Sequence, residues 1–319
     1  MVNLIDKLLD ASVVGGFSRL GYAVRSRTGD WEPLRPGVLD GSTVAITGPT
    51  SGLGLAASVA LRRLGASLVL IGRDAGRLDR TAESLRARQG VGGTITELVA
   101  DLGDLEAVAA VGRRMVAEGI GLRALVHNAG ALDRERAESP QGFERTVATH
   151  VLGPHLLTRI VASRTARAIT VSSGGMYAAP LPDLSRGGSL EMKIGRWDGT
   201  KQYAIAKRAQ VTLNELWPNV EPGTVFAAMH PGWADTPGVR TSIPLFAKVT
   251  GPVLRTAEEG ADTVVWLAAT DRETSTGRFW CDREERPTHR LPNTRRADSQ
   301  AARSALWDWC DSVTAPYVS

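Results

Sequence analysis

Cysteine is nearly missing from this sequence: Cys281 and Cys310 are the only two among 319 residues. A chain that long buries a core without covalent staples, so no disulfide framework is expected and a reducing compartment, the cytoplasm, fits. Lysine is scarce as well, and the many arginines leave a formal net charge of only +4, spread along the chain instead of gathered in a tail. That distribution argues against a dedicated nucleic-acid binder. The arginine-rich stretch 283–303 does not reverse this, because Glu284, Glu285 and Asp298 interrupt it and it holds no aromatic residue for stacking. Long apolar runs are missing too. The longest uncharged stretch, 41–61, contains four Gly, one Pro and six Ser or Thr, which suits a strand, a tight turn and a helix start better than a membrane span. At the N-terminus Asp6, Lys7 and Asp10 break up the apolar residues, so no secretory signal is expected. His155, His230 and His289 have no metal-ligand spacing with the cysteines, so no metal is expected either.

What is present is an alternation. Short β-branched runs fall at 43–47, 67–71, 94–99, 124–127, 168–172 and 224–229, with a weaker one near 278–280, and helix-length segments such as 53–64 and 105–118 separate them. Continuous apolar strands between helices predict a Rossmann-type α/β fold, a doubly wound parallel sheet covered on both faces. Neither a repeat nor a Gly/Ser/Pro-rich linker divides the chain, so residues 41–319 are expected to form a single domain. Residues 1–40 precede it as an N-terminal extension. Its apolar positions Leu4, Ile5, Leu8, Leu9, Val13 and Phe17 recur at helical spacing and predict an amphipathic helix that packs on its own domain, on a sister subunit or on a membrane surface. A Pro-, Gly- and charge-rich insertion at 178–199 predicts loops over the site. A C-terminal helix near 301–313, with Leu306, Trp307 and Trp309, would cover the site or a neighbouring subunit, so a homo-oligomer remains open.

Directly after the first strand stands Thr47-Gly48-Pro49-Thr50-Ser51-Gly52-Leu53-Gly54. Glycines let a backbone turn sharply and approach a pyrophosphate, and the N–H groups and dipole of the following helix hold its charge. A glycine pattern alone is weak evidence, but its place between strand and helix makes it a dinucleotide cradle by expectation.

The spacing Gly-x-x-x-Gly-x-Gly resembles the short-chain dehydrogenases/reductases. Other motifs follow in that family's order: Asp101-Leu102, Asn128-Ala129-Gly130, Ser172-Ser173, Tyr203-x-x-x-Lys207 and Pro231-Gly232. The segments around Ser173, from Tyr203 to Trp217 and from Met229 to Arg240 are similar to the subgroup represented by dehydrogenase/reductase family member 12. The resemblance implies a nicotinamide cofactor held by Thr47, Gly48, Thr50, Ser51, Gly52, Leu53 and Gly54. It implies Asp101 and Leu102 beside the adenine, Asn128, Ala129 and Gly130 along the ribose side, and Pro231, Gly232 and Thr236 toward the nicotinamide. Where NAD-preferring members carry an acidic residue, this chain has Gly72 and then Arg73, which favours NADP(H), since a guanidinium pairs with a 2′-phosphate that a carboxylate would repel. Asp74 suits either a ribose hydroxyl or a helix cap, and Asp101 equally suits the N-cap of the next helix.

The resemblance also implies the chemistry. Tyr203 would be the general acid/base, Lys207 one helical turn away would prime it and bind the nicotinamide ribose, and Ser173 would donate to the substrate oxygen. A free phenol titrates near pH ~10, so priming by about two units needs roughly 2.7 kcal/mol, within reach of one close cation. His150 stands where the family usually carries an Asn that holds a water linking the lysine to solvent. An imidazole can take part in a proton relay or serve only as packing. The expected function is NADP(H)-dependent interconversion of a carbonyl and an alcohol on a small molecule. Met176, Tyr177, Leu181, Trp197, Trp233, Ile243, Leu245 and Phe246 are candidate walls for a lipophilic substrate or ordinary core. The alternative is a catalytically weak NADP(H)-binding sensor or scaffold.

Overall fold

The computed structural model describes residues 6, 9–10, 12–88, 93–130, 132–237, 240, 248 and 250–318. The strands are β1 (Thr43–Thr47), β2 (Ser67–Gly72), β3 (Ile95–Val99), β4 (Ala124–His127), β5 (Arg167–Val171), β6 (Val225–Met229), β7 (Arg278–Cys281) and β8 (Glu284–Glu285). They form one sheet in the order β3-β2-β1-β4-β5-β6-β7-β8. All pairs are parallel except β7 with β8.

Each central strand is buried on both faces, and its side chains alternate between two cores. Ala45, Val69, Ile71 and Leu125 point into one. Val44, Ile46, Leu68, Leu70 and Val126 point into the other. The helices that cover these faces are α3 (Gly52–Arg63), α4 (Ala75–Arg86), α5 (Leu105–Ala117), α6 (Gly153–Val161), α7 (Gly199–Leu216), α8 (Ala257–Ala269), α9 (Pro292–Ala297) and α10 (Gln300–Thr314), after two N-terminal helices α1 (Val13–Phe17) and α2 (Arg19–Thr28). Before α6, a turn of helix at Arg145–Val147 widens into a π-helical turn, Ala148–Leu152, which carries His150.

Local chemistry sets the helix starts. The Asp74 carboxylate caps α4 by accepting from the Arg77 N–H, so of the two roles open to it the capping one is filled. For α5 the cap is Asp104, not Asp101: Asp104 accepts from the Glu106 N–H, while Asp101 lies a turn earlier and accepts from the Gly103 N–H. Thr256 and Glu259 form a reciprocal capping box on α8. The 178–199 stretch is irregular, with single 3₁₀ turns at Leu184–Arg186 and Ile194–Arg196. On α10, Ala302, Leu306 and Cys310 are buried in the first core, and Trp307 meets Trp217 edge to face, so this helix packs on its own chain.

The N-terminal residues also pack on their own chain. Leu4, Ile5 and Leu8 lie outside the described residues, but Phe17 is buried against His230, Trp233 and Tyr177. Arg25 on α2 and Arg255 share the Asp282 carboxylate at 2.7 and 2.6 Å, and all three side chains are at most 4% exposed. Asp6 and Asp10 extend this network to Arg286 and Arg290. Asp282 and Arg283 turn the β7–β8 hairpin with φ of 55° and 57°, a left-handed conformation costly for an arginine. Arg283 is held there by the Asp262 carboxylate and by the face of Trp31. No helix among the described residues is long and apolar enough to cross a membrane.

Candidate active site

Strand order reverses between β1 and β4, and a crevice opens at their carboxyl ends, the position where open α/β sheets bind ligands. Its volume is about 450 Å³. Gly48, Thr50, Ser51, Gly52, Leu53 and Gly54 form one wall, with Arg73, Asp101, Leu102, Asn128, Ala129, Gly130, His150 and Thr236 around them.

The glycines are sterically required. Gly48 has φ of +65°, and a Cβ there would sit 2.9 Å from the Ala129 Cα. At Gly54 a Cβ would fall 2.1 Å from the Gly48 carbonyl oxygen and 2.4 Å from the Asn128 amide nitrogen. That amide donates to the carbonyls of Thr47 and Gly48 at 2.9 and 3.1 Å, so Asn128 braces the turn as well as lining the crevice. Thr47 itself does not line it. Its buried hydroxyl donates to the Val126 carbonyl and accepts the N–H groups of Asn128 and Ala129, which locks the β1 turn to the β4 turn.

Where β2 ends, Arg73 and Arg77 both line the crevice beside Gly72. Arg77 escaped the sequence reading, although its place four residues after Arg73, inside a helix capped by Asp74, signals a second guanidinium on the same side. Asp133, Arg145, Thr146 and Thr149 also line the crevice and were not expected. Asp133 and Arg145 pair with one another at 2.8 Å.

Ser173, Tyr203, Lys207 and His150 come together where β5 ends, along the first half of α7 and the π-helical turn; of the four, His150 lines the crevice. Ser173 caps a 3₁₀ turn, Gly174–Tyr177, accepting from the Gly175 N–H, and its hydroxyl lies beside the half-buried Tyr203 phenol. Burial raises the Tyr203 pKa above the ordinary phenol value, and the neighbouring Ser173 hydroxyl opposes the rise. Lys207 is 3% exposed. Its ammonium donates to the Val171 carbonyl at 2.9 Å and to Gln210 Oε1 at 3.0 Å, and lies 5.4 Å from the centre of the Tyr203 ring. Burial lowers its pKa to about 7. Two oxygens thus hold the ammonium against the face of the Tyr203 ring. His150 meets the Tyr203 ring edge to face at 5.4 Å and fills the space over Gly130, where a Cβ would come within 2.5 Å of the imidazole.

Pro231 and Gly232 do not line the crevice. Gly232, at φ of +75°, makes room for Arg255, whose Nε would stand 2.2 Å from a Cβ there, and Arg255 donates to the Pro231 carbonyl. Met176 and Tyr177 are buried in a small core with Phe17, and Leu181 lies in the first core, so these three are packing residues. Trp233 is partly buried against that small core. Ile243, Leu245 and Phe246 lie outside the described residues. His127 is buried and donates through Nε2 to Thr158, whose own proton goes to the Pro154 carbonyl; burial lowers its pKa to about 4.

The sequence profile of the short chain dehydrogenase family matches residues 42–178. The chain is 35% identical to Dehydrogenase/reductase SDR family member 12 of Bos taurus over 273 residues, spanning 83% of this chain and 84% of that protein. It is 32% identical to Retinol dehydrogenase 14 of Mus musculus over 298 residues, spanning 86% of each. In structure it resembles a 3-oxoacyl (acyl-carrier-protein) reductase of Agrobacterium tumefaciens solved with NADP bound, with a TM-score of 0.59 and 21% identity over 76% of this chain and 92% of that one.

Proposed function

This chain belongs to the short-chain dehydrogenase/reductase family, and from that membership we propose that it is an NADP(H)-dependent oxidoreductase that interconverts a carbonyl and an alcohol on a lipophilic small molecule. The observation that carries the reading is the meeting of Ser173, Tyr203 and Lys207 with His150, which lines the glycine-walled crevice. The crevice suits a dinucleotide, because the tight turn that Gly48 and Gly54 allow, packed on Asn128 and Ala129, brings the start of α3 to the crevice wall, where helix N–H groups favour a pyrophosphate. Arg73 and Arg77, with the Asp74 carboxylate engaged in capping α4, suit a 2′-phosphate. Thr50, Ser51, Gly52 and Leu53 would hold the phosphates, Asp101 and Leu102 the adenine, Asn128, Ala129 and Gly130 the ribose side, and Thr236 the far end. When bound, NADP(H) supplies or accepts the hydride.

The chain's own residues handle the proton. A phenol held above its ordinary pKa is protonated at neutral pH, so Tyr203 is ready to donate to an oxygen on which charge develops. Ser173 is placed to hold that oxygen. A protonated Lys207 stabilises the phenolate left behind. Because burial brings the lysine to about 7, this support is present below that pH and fades above it, and reduction should slow as pH rises through neutrality. A lipophilic substrate is supported by the relative named for retinol, an apolar alcohol.

The test is NADPH fluorescence on mixing, followed by NADPH consumption with a panel of apolar aldehydes and ketones. Tyr203→Phe should retain binding and lose about 10²-fold or more of turnover. Binding without turnover, indifferent to that substitution, would favour the sensor reading instead.

A further inference from the structure

Gln210 was not singled out from the sequence, yet it makes the closest side-chain contact to the Lys207 ammonium. It lies three residues on from Lys207, on the same face of α7, and is 5% exposed. Its Oε1 accepts from the ammonium at 3.0 Å, and its Nε2 donates to the His150 carbonyl at 2.7 Å. An ammonium can only donate and a carbonyl can only accept, so these two neighbours permit a single orientation of the amide.

Behind the amide lies a cavity of about 30 Å³, lined by Gln210, His150, His127, His155, Asn214 and Thr170 among others. The lysine is not part of its wall. The lining is mixed: Leu213, Trp217 and Phe226 stand among the polar side chains, and His127 Nδ1 and both ring nitrogens of His155 have no hydrogen-bond partner among the described residues. A space of that size with such a lining accommodates a water molecule. We propose that Gln210 is the positioning residue of Lys207, its amide spanning from the ammonium to the His150 carbonyl, fixing the lysine beneath Tyr203 and closing it off from the cavity behind. This rests on the reading of Tyr203 and Lys207 as the acid–base pair.

The titratable groups that face Lys207 are Tyr203 on its own helix and His150 on the π-helical turn, and β5 contributes only the Val171 carbonyl. With no carboxylate among them, the amide oxygen is the neighbour whose charge can be changed at constant shape. The chain contains five lysines, few enough to follow each side chain by nuclear magnetic resonance in protein labelled at lysine, with Lys207→Arg identifying the signal.

In the cofactor-free full-length protein, Gln210→Glu should move the Lys207 titration upward by about two units. Gln210→Ala should open the cavity to the ammonium, speed exchange of its protons with solvent and raise the titration by a smaller amount. The unsubstituted protein supplies a check that does not depend on how the variants fold: the Gln210 amide signal should shift as Lys207 titrates and should be protected from exchange. A Lys207 titration identical in all three proteins overturns the proposal, as does an unprotected Gln210 amide indifferent to pH. Neither readout involves cofactor or substrate, so failure of the oxidoreductase reading would leave these results standing, and the reverse also holds.

Discussion

Asp282→Asn removes one negative charge from the most enclosed ionic cluster described, at nearly constant size. Asparagine tolerates the left-handed backbone that Asp282 adopts at φ of 55°, so the hairpin geometry is preserved and the charge is the variable. The loss is borne by Arg255 and Arg25, which are 1% and 4% exposed and would keep main-chain partners at Gly16, Ser18 and Pro231, the Tyr22 ring face for Arg255, and Asp6 and Asp10 as carboxylates at the edge for Arg25. Removing one partner of a buried pair costs about 3–5 kcal/mol. With a urea slope of about 3 kcal/mol/M for a chain of this size, the unfolding midpoint should fall by about 1 M or more, followed by tryptophan fluorescence. A second signature comes from acid. Burial alone would raise the Asp282 pKa, but Arg255 and Arg25 outweigh it and hold the carboxyl below the usual range. The resulting stability is complete above the unfolded carboxylate value, near pH ~3.9, and is lost as pH falls through the lower folded value. The variant should lack this acid limb. A midpoint shift below about 0.3 M, roughly 1 kcal/mol at the same slope, would refute the reasoning and mark the cluster as solvated.

Other outcomes are accessible with the same protein. Arg73→Asp should weaken NADPH binding by about 10- to 100-fold, the worth of one charge-assisted contact, while sparing NADH; unchanged selectivity would remove Arg73 from the phosphate site. Gly54→Ala should weaken NADPH by about tenfold or more in a fluorescence titration, because the new methyl cannot coexist with the Gly48 carbonyl and Asn128. Wild-type affinity in that variant would mean the dinucleotide sits elsewhere.

Much of the fold was legible because the central strands are buried on both faces, so their β-branched runs stand out in any short window. The glycine turn, Asn128 and the Tyr203–Lys207 spacing were legible for a related reason: each is local, confined to a few consecutive residues or one helical turn. What escaped depends on distant partners. Helix α2, with Gly21 in its middle and Arg19, Arg25 and Arg27 along it, reads as solvated chain until Asp282, 257 residues away, is seen to neutralise Arg25. The two-residue strand β8 is too short to show periodicity. Gln210 resembles any polar residue on a helix surface, and only the π-helical turn that delivers the His150 carbonyl makes it an interior group. The partners of the Lys207 ammonium were not legible, because helical spacing fixes proximity to Tyr203 but not which oxygens the ammonium meets.

The clasp between the N-terminal helices and the β7–β8 hairpin has a bearing on biosynthesis. Its contacts join residues separated by 237 to 280 positions, so a chain emerging from the ribosome makes α2 early and Arg25 meets Asp282 only 257 residues later. Loop closure of that span is slow relative to local pairing, and docking of the amino-terminal segment belongs among the last steps of maturation. A nascent or prematurely terminated polypeptide lacking the final strands would present those guanidinium groups and Phe17 uncovered, a surface for chaperones to recognise and for proteases to enter.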